Sequence, residues 1–153
     1  MRILVISDSH GDFRRMYNVI EAHKDIDHIF FLGDGIKEFE DICDLYPNKN
    51  LYGVSGNCDF MSLRPSTDIC KTSKGIILYT HGDAYGVKSS LGKLILAARE
   101  RGARLALFGH THEKYAERVE DIYLFNPGSL GKSGSYGICE LLDNEITMSH
   151  YVM

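Results

Sequence analysis

The sequence predicts an α/β fold in which two β-sheets pack against each other and helices cover their outer faces. In the N-terminal half, short apolar runs alternate with segments whose apolar residues recur at helical spacing, the pattern of β-α-β units. From Tyr115 onwards the pattern is β throughout, with short polar turns that favour antiparallel pairing. No repeat, low-complexity tract or linker interrupts the 153 residues, so we expect a single domain over residues 1–153.

The individual elements follow from apolar spacing and from the residues that start and stop them. Strands are predicted at residues 3–6, 29–32, 51–54, 67–71, 76–80, 105–108, 115–119, 122–125, 136–141 and 146–152. A first helix follows Asp12 as N-cap, and a second runs from Ile36 to about Tyr46, where Pro47 stops it. A third helix follows Ser90 as its cap and is closed by Gly102.

Composition narrows the classes of function. Hydrophobic residues make up 44% of the chain and charged residues 25%, as in soluble globular proteins. The formal net charge of −4 gives no basic excess, so we expect no nucleic-acid-binding surface. No apolar run approaches the ~20 residues that span a bilayer, which argues against membrane insertion. The four cysteines form no C-x-x-C pair and the N-terminus resembles no signal peptide, so we expect a cytoplasmic protein.

Polar residues recur where the apolar strands end, which is where α/β sheets place their chemistry. The five motifs are Asp8-Ser9-His10, Gly33-Asp34-Gly35, Gly56-Asn57-Cys58-Asp59, His81-Gly82-Asp83 and Gly109-His110-Thr111-His112. Taken singly, each has an ordinary interpretation as a helix cap, a turn residue or a structural histidine. The last motif is the most specific, because two histidines two residues apart can face two different ions. Oxygen and nitrogen ligands without a thiolate favour ions such as Mn²⁺, Fe²⁺ or Zn²⁺.

In their order and their position at strand ends, the five motifs resemble those of the calcineurin-like metallophosphoesterases. The resemblance covers residues 3 to about 130. With the short chain and the segment Asn126-Pro127-Gly128-Ser129, it is closest to the small prokaryotic phosphodiesterase branch. It implies a four-layer α/β/β/α sandwich, with two mixed sheets flanked by helices, and a dinuclear metal centre.

The resemblance also implies a role for each motif position. One ion would be held by Asp8, His10 and His112, the other by Asn57, His81 and His110, with Asp34 as the bridge. All seven positions carry the residue type that the family uses. We expect two divalent cations, with Mn²⁺ preferred and Ni²⁺, Fe²⁺ or Zn²⁺ as alternatives. Two such ions keep the site positive, so an acidic protein can still attract a phosphate group.

The predicted catalytic residues are Asp34, Asn57, Cys58, Asp59 and His81. Much of the wider family has a histidine after the metal-binding asparagine, thought to assist the leaving oxygen, whereas this chain has Cys58. Because a thiol is a weak hydrogen-bond donor, Asp59, His81 or water would have to supply the proton, and esters with acidic leaving groups should react faster. The alternative is that Cys58 is a packed turn residue without a role in catalysis.

The implied reaction is hydrolysis of a small soluble phosphodiester by a bridging metal-bound hydroxide. A phosphomonoesterase and a hydrolase of cyclic or dinucleoside phosphates are alternatives that the same centre would serve. A third is a non-catalytic protein-binding scaffold, as in the retromer subunit of this fold, which has departed from the ligand pattern. The complete ligand set of this chain favours an enzyme.

Other residues are expected to shape the surroundings of the site. Substrate specificity is expected from two loops, residues 60–66 and 85–89, in which Arg64 and Lys88 are interpreted as solvated surface charges. The C-terminal strands offer an edge or an apolar face to a second copy, so a homodimer is an alternative to a monomer. The residues concerned are Tyr136, Tyr151 and Val152. Three histidines match no motif and are expected to be structural or at the surface: His23, His28 and His150.

Overall fold

The fold consists of ten strands and four helices in a computed structural model that describes residues 1–153. The strands are β1 Arg2–Ile6, β2 His28–Phe31, β3 Asn50–Gly53, β4 Thr67–Thr72, β5 Gly75–Thr80, β6 Ala103–Leu107, β7 Lys114–Val119, β8 Ile122–Pro127, β9 Ser135–Leu141 and β10 Ile146–Val152. The helices are α1 Phe13–Ala22, α2 Ile36–Leu45, α3 Gly92–Glu100 and α4 Leu130–Ser133. A single 3₁₀ turn spans Asp83–Tyr85.

The strands form two mixed sheets of five strands each. The first has the order β10-β9-β1-β2-β3, and the second has the order β4-β5-β6-β8-β7. In each sheet three strands run parallel, namely β1, β2 and β3 in the first and β5, β6 and β8 in the second. The remaining strands, β4, β7, β9 and β10, pair antiparallel on the flanks of the parallel strands. The C-terminal strands are therefore divided between the sheets, and β8 also pairs in parallel with β6.

Three buried clusters of apolar side chains hold the layers together. The central cluster joins the facing sides of the two sheets and includes Val5, Phe30, Tyr79 and Phe125. A second cluster packs α1 and α2 on the outer face of the first sheet, and a third packs α3 on the outer face of the second. The predicted α/β/β/α order of layers is confirmed.

The helix boundaries follow local capping with two departures from prediction. The Asp12 carboxylate accepts a hydrogen bond from the Arg15 amide (3.0 Å), so the predicted cap of α1 is confirmed. The predicted cap at Ser90 is wrong, because α3 begins at Gly92 after Leu91 and has no side-chain cap. Helix α4 was not predicted, since its four residues are too few to show a period.

The residues predicted to lie at the surface have different surroundings in the structure. None of the helices has the length and apolar character needed to cross a bilayer. Arg64 is not a free surface charge, because it forms an ion pair with Glu40 and lies over the Phe39 ring. Tyr151 and Val152 are exposed on the edge strand β10, whereas Tyr136 is buried. The homodimer stays a prediction.

Candidate metal centre

The five polar motifs meet at one edge of the molecule, where the carboxyl ends of the parallel strands of both sheets come together. The first sheet contributes the residues that follow β1, β2 and β3, and the second contributes those that follow β5 and β6. Backbone hydrogen bonds tie neighbouring loops: the amides of Asp8 and His10 donate to Gly33 and Asp34, both at 2.9 Å. The position of the motifs along the strands therefore determines their meeting point.

One group of side chains consists of Asp8, His10 and His112. Asp8 Oδ1 lies 3.2 Å from His112 Nε2 and 3.8 Å from His10 Nε2. The two Nε2 atoms are 3.2 Å apart. A carboxylate oxygen and two imidazole nitrogens within this distance of one another match the spacing needed to ligate one cation.

A second group consists of Asn57, His81 and His110. His81 Nε2 lies 2.9 Å from Asn57 Oδ1 and 3.2 Å from His110 Nδ1. Asn57 is exposed, His110 is half-buried and His81 is buried. Solvent therefore reaches this group at Asn57 and His110 but not at His81.

Asp34 lies between the two groups. Its Oδ2 atom is 3.4 Å from His81 Nε2 and 3.9 Å from His10 Nε2. Its Oδ1 atom accepts a hydrogen bond from the Cys58 amide at 2.8 Å, which fixes the carboxylate plane. One oxygen of a buried carboxylate thus faces a histidine of each group.

The backbone in this region adopts a conformation that side chains disfavour. Five of the seven non-glycine residues with positive φ in the chain are predicted ligands. They are Asp8, His10, Asp34, His110 and His112, with φ between 46° and 69°. Such residues cost free energy and persist where surrounding contacts over-determine them, typically at functional sites.

The hydrogen bonds of the donor atoms fit a cation. The Ser7 hydroxyl (2.5 Å) and the His110 amide (3.2 Å) donate to Asp8 Oδ2, while Asp8 Oδ1 is buried without a hydrogen-bond partner. His81 Nδ1 lies 2.7 Å from the Leu32 carbonyl oxygen, so Nδ1 carries a proton and Nε2 is free to ligate. Nε2 faces the oxygens of Asn57 and Asp34, at 2.9 Å and 3.4 Å.

The electrostatics agree with this arrangement. Burial opposes ionisation of Asp34, but hydrogen bonds from His81 and the Cys58 amide hold its pKa well below the usual range. Burial also opposes protonation of His81, yet the carboxylates of Asp34 and Asp8 raise the pKa of its imidazole. Burial, and then the charge of His81, lower the pKa of His110. The Asp34 carboxylate is therefore ionised, and a cation bound beside it would compete with protonation of His81.

Cys58 and Asp59 have different surroundings. Cys58 is largely exposed beside the centre, and the partial loss of water around its thiol, followed by the Asp34 charge, raises its pKa and favours the neutral form. The Asp59 carboxylate accepts four backbone hydrogen bonds, two on each oxygen. The donors are the amides of Asp34 (2.7 Å), Gly35 (2.9 Å), Ile36 (3.0 Å) and Gly56 (2.7 Å). These bonds occupy both oxygens and tie Asp59 to the Asp34 loop, and the catalytic role of Asp59 stays a prediction.

The sequence did not reveal several residues that support the ligands. Ser7 orients Asp8, and the Asn126 side chain donates to the Gly109 carbonyl and the Thr111 hydroxyl, both at 3.0 Å. A side chain at Gly109 would place its Cβ 2.1 Å from Ser7 Oγ. The small residues that precede the ligands were the available signal, since they mark close approach of the backbone.

The three histidines outside the motifs contact other parts of the fold. His23 Nε2 lies 3.0 Å from the Tyr136 hydroxyl, and His150 Nε2 lies 2.7 Å from the Asn126 carbonyl oxygen. His28 stacks on Tyr52. None of the three approaches the ligand groups, in agreement with the prediction of structural roles.

Comparison with known proteins identifies the family. The calcineurin-like phosphoesterase superfamily domain matches residues 1–144. The chain is 30% identical to a Bacillus subtilis protein named probable metallophosphoesterase YsnB, over 99% of this chain and 90% of the relative. It is 26% identical to a phosphodiesterase of Methanocaldococcus jannaschii, over 84% of this chain and 83% of the relative.

Solved structures share the fold. A Streptococcus pneumoniae protein described as a predicted phosphoesterase has a TM-score of 0.86 and 27% identity, with 99% of this chain and 88% of that chain covered. Vps29 of Entamoeba histolytica, solved with Zn²⁺, has a TM-score of 0.82 and 23% identity, covering 99% of this chain and 92% of that one. By its family match and its relatives, the chain belongs to the calcineurin-like phosphoesterase superfamily and is a metal-dependent phosphoric ester hydrolase.

Proposed function

We propose that this chain is a phosphodiesterase that works with two divalent cations. The ligand sets are Asp8, His10 and His112 for one cation, Asn57, His81 and His110 for the other, and Asp34 for both. The observation that carries the proposal is the position of Asp34, whose Oδ2 atom is within 4 Å of a histidine in each group. The free, buried Oδ1 atom of Asp8 supports it further.

The cations, when bound, supply a Lewis acid that activates water and neutralises the charge of the phosphoester oxygens. The protein holds the ligands in place before substrate arrives. The Leu32 carbonyl sets the tautomer of His81, and the Cys58 amide aims the free oxygen of Asp34. Because these partners are backbone groups of the sheet ends, the ligands need little reorganisation during reaction.

Two clefts beside the centre favour a diester over a monoester. The first has a volume of about 410 Å³ and is lined by residues that include His10, Asp34, Cys58 and Phe60. The second, of about 400 Å³, is lined by residues that include Thr111, which lies between His110 and His112. Phosphodiesters carry two ester groups, one for each cleft, whereas a monoester would use only one.

The first cleft suits an apolar ester group. Phe60 lines it with 85% of its side chain exposed, and nearby Met61 and Leu63 are fully exposed. The loop that carries them is held in place by a hydrogen bond from the Ser55 hydroxyl to the Ser62 hydroxyl at 2.7 Å. An apolar group that leaves water against Phe60 would gain roughly 25 cal/mol for each Å² buried.

Proton delivery to the leaving oxygen is weak in this site. Cys58 borders the first cleft as a neutral thiol, and Asp59 has no free oxygen. We therefore expect esters with acidic leaving groups to react faster. Rates over aryl and alkyl leaving groups of graded pKa measure this, and no dependence on leaving-group pKa would contradict it.

The metal we propose is Mn²⁺, with Ni²⁺, Fe²⁺ and Zn²⁺ as the alternatives, because the seven proposed ligands supply oxygens and imidazoles. The Cys58 thiol also lies within ligating distance of His10 and Asp34, but its raised pKa disfavours the thiolate that would bind a metal. The deciding experiment removes metal with a chelator, restores Mn²⁺ and measures hydrolysis of bis-p-nitrophenyl phosphate and p-nitrophenyl phosphate. Asp34→Asn is the control that removes the shared carboxylate charge. The proposal would be supported if the wild type cleaves the diester only with metal and Asp34→Asn does not cleave it.

The other outcomes separate the alternatives. Cleavage of the monoester alone would keep the centre but replace the substrate class. If metal binds and neither ester reacts, the scaffold alternative gains, and the fold shared with Vps29 makes a search for protein partners the next step.

A further inference from the structure

The second cleft contains charges that the proposed reaction at the metal centre does not require. Its floor is apolar and includes Val87, Phe108 and Tyr115, and its rim carries Lys88 and Lys114. Phe108 and Tyr115 meet edge to face at 5.8 Å between ring centroids. A cleft with an apolar floor and a cationic rim differs from the first cleft, where Phe60 stands exposed beside the centre.

Both lysines are free to receive a ligand. Lys88 and Lys114 are exposed, and neither forms an ion pair or a side-chain hydrogen bond within the chain. By contrast, Lys24, Lys49 and Lys74 are each paired with a carboxylate. Lys37 in the first cleft is unpaired as well, but only the second cleft has two unpaired lysines on its lining, and together they give this edge a local positive field.

The lysines lie next to the reacting centre. Thr111 lines the cleft and lies between two predicted ligands, and Lys88 is near enough to His110 to act on it electrostatically. Glu113 also lines the cleft and carries the opposing charge. Asp83 acts on His110 as well but does not line the cleft. Two ammonium groups against one carboxylate leave the rim cationic.

We propose that this cleft is a subsite for an anionic ester group, so that the natural substrate is an asymmetric diester carrying a further phosphate or carboxylate on one side. The proposal rests on the phosphodiesterase function proposed above. The anionic end contacts Lys88 and Lys114, and the carbon skeleton that joins it to the reacting phosphorus covers the apolar floor. Its volume of about 400 Å³ is within the range of small-molecule sites.

A matched pair of substrates tests the subsite. The p-nitrophenyl ester of thymidine 5′-phosphate and its 3′-phosphorylated form release the same chromophore and differ only in the terminal phosphate. The readout is the ratio of kcat/KM for the two esters with Mn²⁺ present. We expect the wild type to prefer the 3′-phosphorylated ester by about fivefold to tenfold, the order given by two exposed charge pairs. Added salt should reduce the preference.

Charge variants assign the preference to the cleft. The double variant Lys88→Ala/Lys114→Ala should bring the ratio close to one, and Glu113→Gln should increase it. The matched control Lys24→Ala/Lys71→Ala removes the same charge far from the cleft and should keep the wild-type ratio.

A wild-type ratio near one would overturn the subsite while leaving the diesterase intact. So would a ratio that survives in the Lys88→Ala/Lys114→Ala variant. If the wild type hydrolyses neither nucleotide ester nor bis-p-nitrophenyl phosphate, the phosphodiesterase proposal fails and the subsite fails with it. If both double variants lose the preference equally, the preference depends on the net charge of the protein, which would also overturn the subsite.

Discussion

The two ends of the sandwich both contain cavities lined by charged residues and a histidine, yet only one end resembles a reaction centre. At the amino ends of the strands, a cavity of about 620 Å³ is lined by residues that include Asp25, Asp27, His28 and Tyr52. It is larger than either cleft beside the predicted ligands at the opposite end. Cavity volume therefore does not locate the chemistry in this protein.

The difference lies in burial, pairing and backbone strain. At the amino end, Asp25 pairs with Arg2 and Asp27 pairs with Lys49, and both carboxylates are mostly exposed. No non-glycine residue lining that cavity has a positive φ. At the carboxyl end, two aspartates are buried and face imidazoles. Buried carboxylates on a strained backbone, with no lysine or arginine side chain paired to them, indicate a metal centre. Exposed ion pairs indicate a solvated surface.

The largest loss of kcat is expected from a change at Asp34, the carboxylate that faces both ligand groups. Asp34→Asn should lower kcat for bis-p-nitrophenyl phosphate by on the order of a thousandfold, because it removes the charge that both ligand groups face. Steady-state kinetics with Mn²⁺ measure this loss. The matched change at the other end, Asp27→Asn, removes only an exposed ion pair and should leave kcat unchanged.

The same pair of variants separates metal binding from folding. Mn²⁺ at one hundred times its Kd should stabilise the wild type by about 2.7 kcal/mol, read as a rise in melting temperature. Asp27→Asn should show the same rise and Asp34→Asn a much smaller one. Comparable rises in both variants would mean that Asp34 does not contribute to metal binding.

A smaller loss of kcat is expected when the Asp34 carboxylate is displaced instead of replaced. In Gly56→Ala the new Cβ would lie 2.1 Å from Asp34 Oδ1 and 2.5 Å from the Asp34 amide nitrogen. The carboxylate has to move, and displacements near 1 Å cost about a hundredfold in rate. The control is Gly92→Ala at the start of α3, where the nearest atom would be 3.8 Å away. A kcat for Gly56→Ala near that of the control would show that the position of Asp34 is not critical.

Asp34 and Gly56 differ in how far the sequence alone predicts their importance. That the proposed ligands lie together could be predicted, because each follows an apolar strand and parallel strands bring their carboxyl ends to one edge. The need for glycine at position 56 could not, because it depends on the distance to Asp34, which is 22 positions earlier in the chain. The pairing of Arg64 with Glu40 was missed for the same reason.

Local signals also failed where they were short or ambiguous. Ser90 has the residue type of a cap, but the chain enters α3 through Leu91 and leaves the hydroxyl outside the helix. Asp59 carries a polar group at a strand end, as the ligands do, and was therefore predicted to be catalytic. Its carboxylate accepts hydrogen bonds from amides that belong to another loop and to the start of α2, contacts that sequence spacing does not reveal, and its catalytic role stays a prediction.

Asp59→Asn tests that role and should have an intermediate effect. Asparagine keeps one oxygen and turns an NH₂ group towards two amide donors, so at least two of the four hydrogen bonds are lost. We expect the free energy of unfolding to fall by roughly 3 kcal/mol. The rate should fall by about tenfold through displacement of Asp34. Chemical denaturation and steady-state kinetics measure the two quantities.

The matched control for Asp59→Asn is Asp12→Asn. Asp12 caps α1 through a single hydrogen bond that asparagine can also accept, so this variant should lose only a few tenths of a kcal/mol. A pure proton-donor role for Asp59 would instead lower the rate without lowering stability. That result would support the predicted catalytic role of Asp59.

The smallest effect is expected at Cys58, because its thiol is neutral and a weak donor. Burial raises its pKa, so the rate should show no ionisation step near pH 8.5, where an ordinary thiol titrates. Cys58→Ser supplies a somewhat stronger donor and should change kcat for bis-p-nitrophenyl phosphate by no more than about threefold. Cys70→Ser, a buried position at the amino end, should lose stability instead of changing the rate. A pH step in the wild type that disappears in Cys58→Ser would show that a thiolate takes part in the reaction, and that the surroundings of Cys58 stabilise the ionised form.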